Sequence, residues 1–129
     1  MILHLERKFT AATEVFIADQ INFQNEYKNI VFTVKHLNNL KINAEVFQSA
    51  PKWPINLKII NGRQTRFLKT KFADQKPSLI HGHFLTDASY FHPFTRKIDI
   101  PKVCSAYGYD VSRFPQYFWK KLRYCTNLE

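Results

Sequence analysis

The stretch Ser78-Leu79-Ile80-His81-Gly82-His83-Phe84 decides the fold. It is short and apolar in its first half, which is typical of a strand buried inside a sheet. Thr86 is the predicted N-cap of a following helix that Pro93 bends or shortens. A second strand is predicted over 102–107, with Gly108 marking a turn at its end. Strand, helix and strand in this order predict a right-handed crossover between parallel strands.

The rest of the chain extends the same alternation. We expect a strand over 1–5, a loop over 6–12, a helix over 14–21 capped by Thr13, strands over 29–35 and 44–47, and helices over 63–73 and after Pro115. The pattern predicts one α/β domain spanning 1–129, Rossmann-like, with a largely parallel sheet and helices on both faces. Because ligands bind beyond the carboxyl ends of such strands, the loops 6–13, 84–86 and 107–110 should share one rim.

Composition limits the possible functions. The 129 residues are 45% hydrophobic and 16% aromatic, enough for one packed core. With three glycines and neither GxGxxG nor GxxxxGK[ST], the chain lacks the two commonest nucleotide-binding signatures.

The net charge of +9 favours anionic partners: nucleic acid, anionic lipid head groups or phosphorylated substrates. Seven bases and one acid lie between Lys52 and Lys76, within and beside the predicted helix over 63–73. This segment is interpreted either as a contact surface for an anionic acceptor or membrane, or as a solvated basic face.

The two cysteines, Cys104 and Cys125, have no CxxC spacing and indicate neither a zinc site nor a disulfide framework. We expect Cys104 to be a small buried side chain in a reducing cytoplasm. No apolar stretch approaches the ~18 residues of a membrane span. Arg7, Lys8 and Glu14 interrupt any signal-peptide core, so no signal peptide is expected.

His81 and His83 lie two residues apart on the predicted strand and therefore share a face. A metal would need a third ligand, and no motif supplies one, so no metal is expected. The pair is interpreted either as hydrogen-bonded structural histidines or as placing His83 against a sugar or phosphate at the rim. Asp110, just after a strand-end glycine, is interpreted either as an acceptor for substrate hydroxyls or as a cap.

Three segments resemble the bacterial family 4 glycosyltransferases. Thr13-Glu14-Val15-Phe16-Ile17 is similar to the family's helix-opening (S/T)-E-T-F-I segment. Ile80-His81-Gly82-His83-Phe84 with Thr86-Asp87-Ala88 resembles I-H-x-H-F-G-T-D-A, with Leu85 in place of the glycine. Ile100–Val103 and Tyr107–Ser112 resemble I-P-x-V followed by H/Y-G-x-D-x-S. The matches occur in the family's order between Thr13 and Ser112.

The resemblance implies the acceptor-side domain of a retaining GT-B enzyme, which transfers a sugar from a nucleotide-sugar donor, typically without metal. It implies catalytic roles for His83 and Asp110, and acceptor contacts by Thr13, Glu14, Tyr107 and Gly108. Tyr107 stands where many members have a histidine.

The implied partners are a sugar or lipid-linked acceptor and a carboxy-terminal donor-binding domain that is absent from this chain. We therefore expect no cofactor on this chain and no catalysis by it alone, although the full-length enzyme would be active in polysaccharide biosynthesis. The expected location is cytoplasmic, at the inner face of the membrane, with no nucleic acid bound. The alternative is a non-catalytic basic α/β module that binds nucleic acid or an anionic membrane.

Overall fold

A computed structural model describes residues 1–9, 13–37, 40–48, 70, 72, 76–96 and 98–112. In these ranges the elements are β1 (Ile2–Phe9), α1 (Val15–Phe23), β2 (Asn29–His36), β3 (Glu45–Gln48), β4 (Leu79–His83), α2 (Leu85–Thr95), β5 (Lys102–Ser105) and α3 (Gly108–Ser112). The predicted final helix after Pro115 lies outside the described residues, as do all positions of the predicted helix over 63–73 except 70 and 72.

The five strands form one parallel sheet in the order β3-β2-β1-β4-β5. The predicted fold class, a Rossmann-like parallel α/β sheet, is thereby confirmed. β1 is central, because Leu3 pairs with Ile30 of β2 on one side and with Ile80 of β4 on the other. From β1 the chain adds β2 and then β3 on one side of the sheet. It then returns to add β4 on the other side of β1, followed by β5.

Two apolar clusters cover the two faces of the sheet. On one face, Leu3, Leu5, Ile30, Phe32 and Ile80 pack against Phe91 and Phe94 of α2. On the other face, Val31 packs with Phe9 and with Ile17 and Ile21 of α1. Each such side chain, when fully buried, contributes about 1.5–3 kcal/mol to folding, so these clusters fix both helices on the sheet.

The structure corrects the predicted loop over 6–12. β1 continues to Phe9, because Glu6, Lys8 and Phe9 pair in register with β2 and the Leu37 N–H donates to the Phe9 carbonyl. The charged residues Glu6, Arg7 and Lys8 therefore lie at the carboxyl end of the central strand and not in a loop.

Both predicted N-caps are also wrong. The N-cap position of α1 is Glu14, one residue after Thr13, and it makes no side-chain capping bond. α2 begins at Leu85, so Thr86 lies inside the helix. The N-cap position is Phe84, whose φ of 65° turns the chain directly from β4 into α2.

The carboxyl end of the domain also differs from the prediction. β5 ends at Ser105, before the predicted Tyr107, and Gly108 opens the short helix α3 instead of a simple turn. Pro93 lies within α2, which ends two residues later at Thr95.

Among the described residues, no helix combines the length and apolar character needed to cross a bilayer.

Candidate functional site

A cleft of about 430 Å³ opens at the carboxyl ends of the strands, where the strand order reverses between β1 and β4. Ligands of open α/β sheets bind at this position. All three predicted rim segments contribute to it. The lining residues are Glu6, Arg7, Lys8, Glu14, Val34, Lys35, Phe84, Thr86, Asp87, Tyr90, Tyr109 and Asp110.

Glu6 is the unusual residue of this cleft. Its side chain is 1% exposed, and neither carboxyl oxygen has a hydrogen-bond partner among the described residues. Burial, a side-chain hydrogen-bonding interaction with Glu14, and the charges of Glu14 and Asp87 together raise the pKa of Glu6 to about 10. At neutral pH Glu6 is therefore a neutral carboxylic acid beside the Glu14 carboxylate, and its O–H can donate to Glu14 or to a ligand.

Asp87 ties α2 to β1. The Arg7 backbone N–H donates to Asp87 Oδ2 over 2.7 Å, and Arg7 Nε donates to Oδ1. The Arg7 guanidinium also lies over the Tyr90 ring, 5.7 Å from its centroid. Because Asp87 is almost fully buried, these bonds compensate for removing its charge from water. The paired arginine and carboxylate form a fixed wall of the cleft.

Asp110 has a capping bond and also lines the cleft. Its Oδ2 accepts the backbone N–H of Leu85 over 2.9 Å, which satisfies one free donor at the start of α2. Burial raises the pKa of Asp110, while the backbone N–H bonds it accepts act in the opposite direction. Asp110 therefore caps the preceding helix α2, whereas the sequence suggested a cap of its own loop or of the next helix. A contact with substrate stays a prediction.

His83 does not reach the cleft. Its side chain is 0% exposed, which corrects the expectation that it projects from the rim. The alternation of β4 turns it toward the face covered by α1, where its Nδ1 lies 3.1 Å from the Tyr107 hydroxyl. The Tyr107 ring in turn lies 4.8 Å from the rings of both Phe16 and Phe84.

His83 belongs to a buried histidine cluster, which consists of His4, His81 and His83. His4 Nδ1 lies 3.0 Å from His83 Nε2, and His81 Nε2 lies 2.8 Å from Ser105 Oγ. Burial lowers the pKa of all three, to about 4 for His4 and to about 2 for His83. The cluster is therefore uncharged at neutral pH.

The structure brings together two of the predicted site residues, Glu14 and Asp110. Thr13 is exposed and absent from the cleft lining. Tyr107 bonds His83, contacts Phe84, and accepts the Asp110 backbone N–H at its carbonyl over 2.7 Å. Gly108 is exposed at the start of α3. None of these placements tests a role in binding, so those roles stay predictions.

Sequence reasoning missed Glu6, Arg7 and Asp87. The charged run Glu6-Arg7-Lys8 suggested a loop. It directly follows Ile2-Leu3-His4-Leu5, however, so it also suits the polar end of a strand. Asp87 was noted only as part of a motif. Cys104 is half-buried, less than expected, and lines a separate cavity of about 70 Å³ under α2.

Comparison with protein-family models, with curated proteins and with solved structures finds no match to this chain.

Proposed function

We propose that this chain is the acceptor-side domain of a retaining glycosyltransferase, and that the cleft between β1 and β4 holds the sugar acceptor. The observation that carries the proposal is the buried Glu6 carboxyl, which lines the cleft beside Glu14 and makes no close hydrogen bond among the described residues. Leaving a buried polar group unpaired costs about 1–3 kcal/mol, so a ligand that pairs with it recovers that energy.

The chemistry of the lining suits a carbohydrate. Neutral Glu6 both donates and accepts hydrogen bonds, and Glu14 adds a carboxylate that accepts bonds from hydroxyls. Phe84, Tyr90 and Tyr109 supply flat apolar surfaces on which the C–H face of a sugar ring can rest. A volume of about 430 Å³ lies within the range of small-molecule sites.

Each residue has a separate role in this proposal. Glu6 anchors an acceptor hydroxyl, and Asp110 holds the start of α2 while its free carboxyl edge orients the reactive hydroxyl. The resemblance described above gives His83 a catalytic role; its burial behind Tyr107 favours a positioning role instead, exerted through the Tyr107 ring on Phe84. The nucleotide-sugar donor would be held by a second domain.

Binding is the direct test. We expect saturation-transfer NMR to detect weak binding of simple hexoses or disaccharides by the 129-residue chain. Glu6→Met, which removes the O–H donor and the acceptor oxygens, should weaken it about tenfold or more. Glu26→Met is the matched control, because Glu26 is exposed in the turn after α1. If no sugar in such a panel bound, or if Glu6→Met bound as well as the parent chain, the cleft would not be an acceptor site.

The second candidate function, a basic module for polyanions, is favoured by the net charge of +9. The cleft does not share this excess of positive charge. Its lining carries the carboxyl groups of Glu6, Glu14, Asp87 and Asp110 beside the basic groups of Arg7, Lys8 and Lys35, and Glu6 is neutral at neutral pH. A polyanion contact is therefore proposed for the basic segment between Lys52 and Lys76.

A further inference from the structure

We propose that His4, His81 and His83 form a buried site for a divalent transition metal of the zinc class, bound through imidazole nitrogens. The sheet register creates the cluster: His4 of β1 pairs with His81 of β4, and His83 lies two residues further along the same face. One nitrogen from each ring lies within 4.8 Å of the other two. His4 is the third ligand that the His81–His83 pair lacked in the sequence.

The hydrogen bonds of Asn29 fix the protonation of His4. The Asn29 side-chain amide donates to the carbonyls of Ile21 (3.2 Å) and Gln24 (2.9 Å), so its nitrogen faces the end of α1. Its Oδ1 therefore faces His4 Nε2, 3.3 Å away. Because Oδ1 only accepts, His4 Nε2 must carry the hydrogen, and a neutral His4 presents a bare lone pair at Nδ1.

The bonds on the other side set the protonation of His83 according to which end of the Gln20 amide faces Tyr107. The Tyr107 hydroxyl donates to Gln20 Oε1 over 3.3 Å, so its oxygen is free to accept from His83 Nδ1. A neutral His83 with hydrogen on Nδ1 presents a bare lone pair at Nε2. Asn29 and Tyr107 thus act as the outer partners that orient metal-binding histidines in proteins.

The two bare nitrogens, His4 Nδ1 and His83 Nε2, face each other over 3.0 Å. Two lone pairs at this distance repel unless a cation lies near both. A proton is disfavoured, because both rings are fully buried and the added charge would have no water around it. A metal ion suits the pair: nitrogens around a tetrahedral zinc at ~2.0–2.1 Å are about 3.3 Å apart, and neutral imidazoles are the form that binds.

One alternative arrangement removes the repulsion without metal. If the Gln20 amide turns by 180°, its nitrogen donates to Tyr107, Tyr107 donates to His83, and His83 donates to His4. All hydrogen bonds then run one way through neutral rings. The two arrangements differ in the orientation of the Gln20 amide. The metal site requires the amide oxygen beside Tyr107, and the metal-free chain of bonds requires the amide nitrogen there.

The test measures metal directly. The 129-residue chain is produced without a polyhistidine tag, its metal content is measured by mass spectrometry, and Co²⁺ is titrated into stripped protein while ligand-field absorption is recorded. We expect about one tightly bound zinc per chain, tetrahedral Co²⁺ bands that zinc abolishes, and a melting temperature that falls on chelation and recovers with zinc. No bound metal, no Co²⁺ bands and no zinc-dependent stability would overturn the proposal.

Two variants and one control distinguish the metal site from the metal-free arrangement. His4→Gln should weaken zinc binding by more than the roughly 10–100-fold that loss of an outer partner costs, whereas His36→Gln, outside the cluster on β2, should leave it unchanged. Gln20→Glu places a group beside Tyr107 that only accepts, so it should preserve zinc binding and stability. A destabilised Gln20→Glu chain that binds no zinc would instead support the metal-free chain of bonds. The parent-chain Co²⁺ titration decides the question even if a variant fails to fold.

Discussion

A buried carboxylic acid such as Glu6 makes folding depend on pH. The pKa of Glu6 is about 10 in the folded chain against 4.5 for a solvated glutamate, with burial as the main cause. The folded state therefore holds a proton that the unfolded state releases between these values. Its favourable contribution is fully present below pH 4.5 and is lost progressively as the pH rises toward 10.

We therefore expect Glu6→Gln to become more stable than the parent chain as the pH rises. Glutamine keeps the shape but cannot ionise, so the difference in unfolding free energy should grow by about 2 kcal/mol or more between about pH 5 and pH 8. Urea denaturation at several pH values measures it, with Glu26→Gln expected to follow the parent. Parallel curves for Glu6→Gln and the parent would mean that Glu6 is ionised in the folded chain.

The site also shows which residues a sequence can identify. Asp110 was predicted from its position just after a strand-end glycine, and Glu14 only from the family resemblance; both line the cleft. Glu6 and His4 were not found, because their importance comes from neighbours brought by pairing β1 with β2 and β4. A strand partner tens of residues away leaves no mark on local periodicity.

At the scale of elements, Gly82 sets how closely α2 approaches β4. A Cβ on Gly82 would lie 2.9 Å from Ala88 Cβ, closer than such atoms pack, and 3.2 Å from Ala88 Cα, which is a tight contact. The strand and the helix that follows it are therefore in direct contact through these two small residues. That contact also holds Asp87, the neighbour of Ala88, beside Arg7.

We expect Gly82→Ala to lower stability by about 1–3 kcal/mol, because α2 must shift and its backbone is part of the obstruction. Gly108→Ala is the matched control. An added methyl there meets no atom within 4 Å, and alanine favours the helix that Gly108 opens, so stability should hold or rise slightly. Thermal unfolding of the two variants measures the difference. Equal stability of both would mean that α2 is not seated on Gly82.

Element types were predicted more accurately than element ends. The apolar, β-branched run of β2 was predicted within a residue of its observed bounds, because its residues are buried whichever way the sheet is assembled. The end of β1 and the start of α2 were misplaced. In the first case pairing with β2 outweighs a charged sequence, and in the second a residue with positive φ replaces the expected threonine cap.

For the whole molecule, the net charge of +9 is spread unevenly along the chain. The cleft lining combines four carboxyl groups with the basic groups of Arg7, Lys8 and Lys35, so it carries little of the excess. Much of the excess comes from the basic segment between Lys52 and Lys76, nearly all of which lies outside the described residues. Contact of this segment with an anionic membrane stays a prediction.

We expect the chain to co-sediment with vesicles containing anionic lipid but not with neutral vesicles. Basic residues near such a surface contribute about 1 kcal/mol each, and added salt should weaken the association because it screens their charges. Replacing Lys52, Lys58 and Lys76 by glutamine should reduce binding, while the same change at Lys28, Lys41 and Lys102, outside the basic segment, serves as the control with equal charge. Equal binding to both vesicle types, or none to either, would count against a membrane contact.

The central position of β1 has a consequence for how the chain folds during synthesis. β1 leaves the ribosome first among the strands, yet its second neighbour, β4, follows only after residues 10–78. During that interval one hydrogen-bonding edge of β1, with Leu3 and Leu5 beside it, has no native partner. Unpaired apolar strand edges can form hydrogen bonds with other chains. We therefore expect nascent chains halted before β4 to need chaperone protection that the finished domain does not.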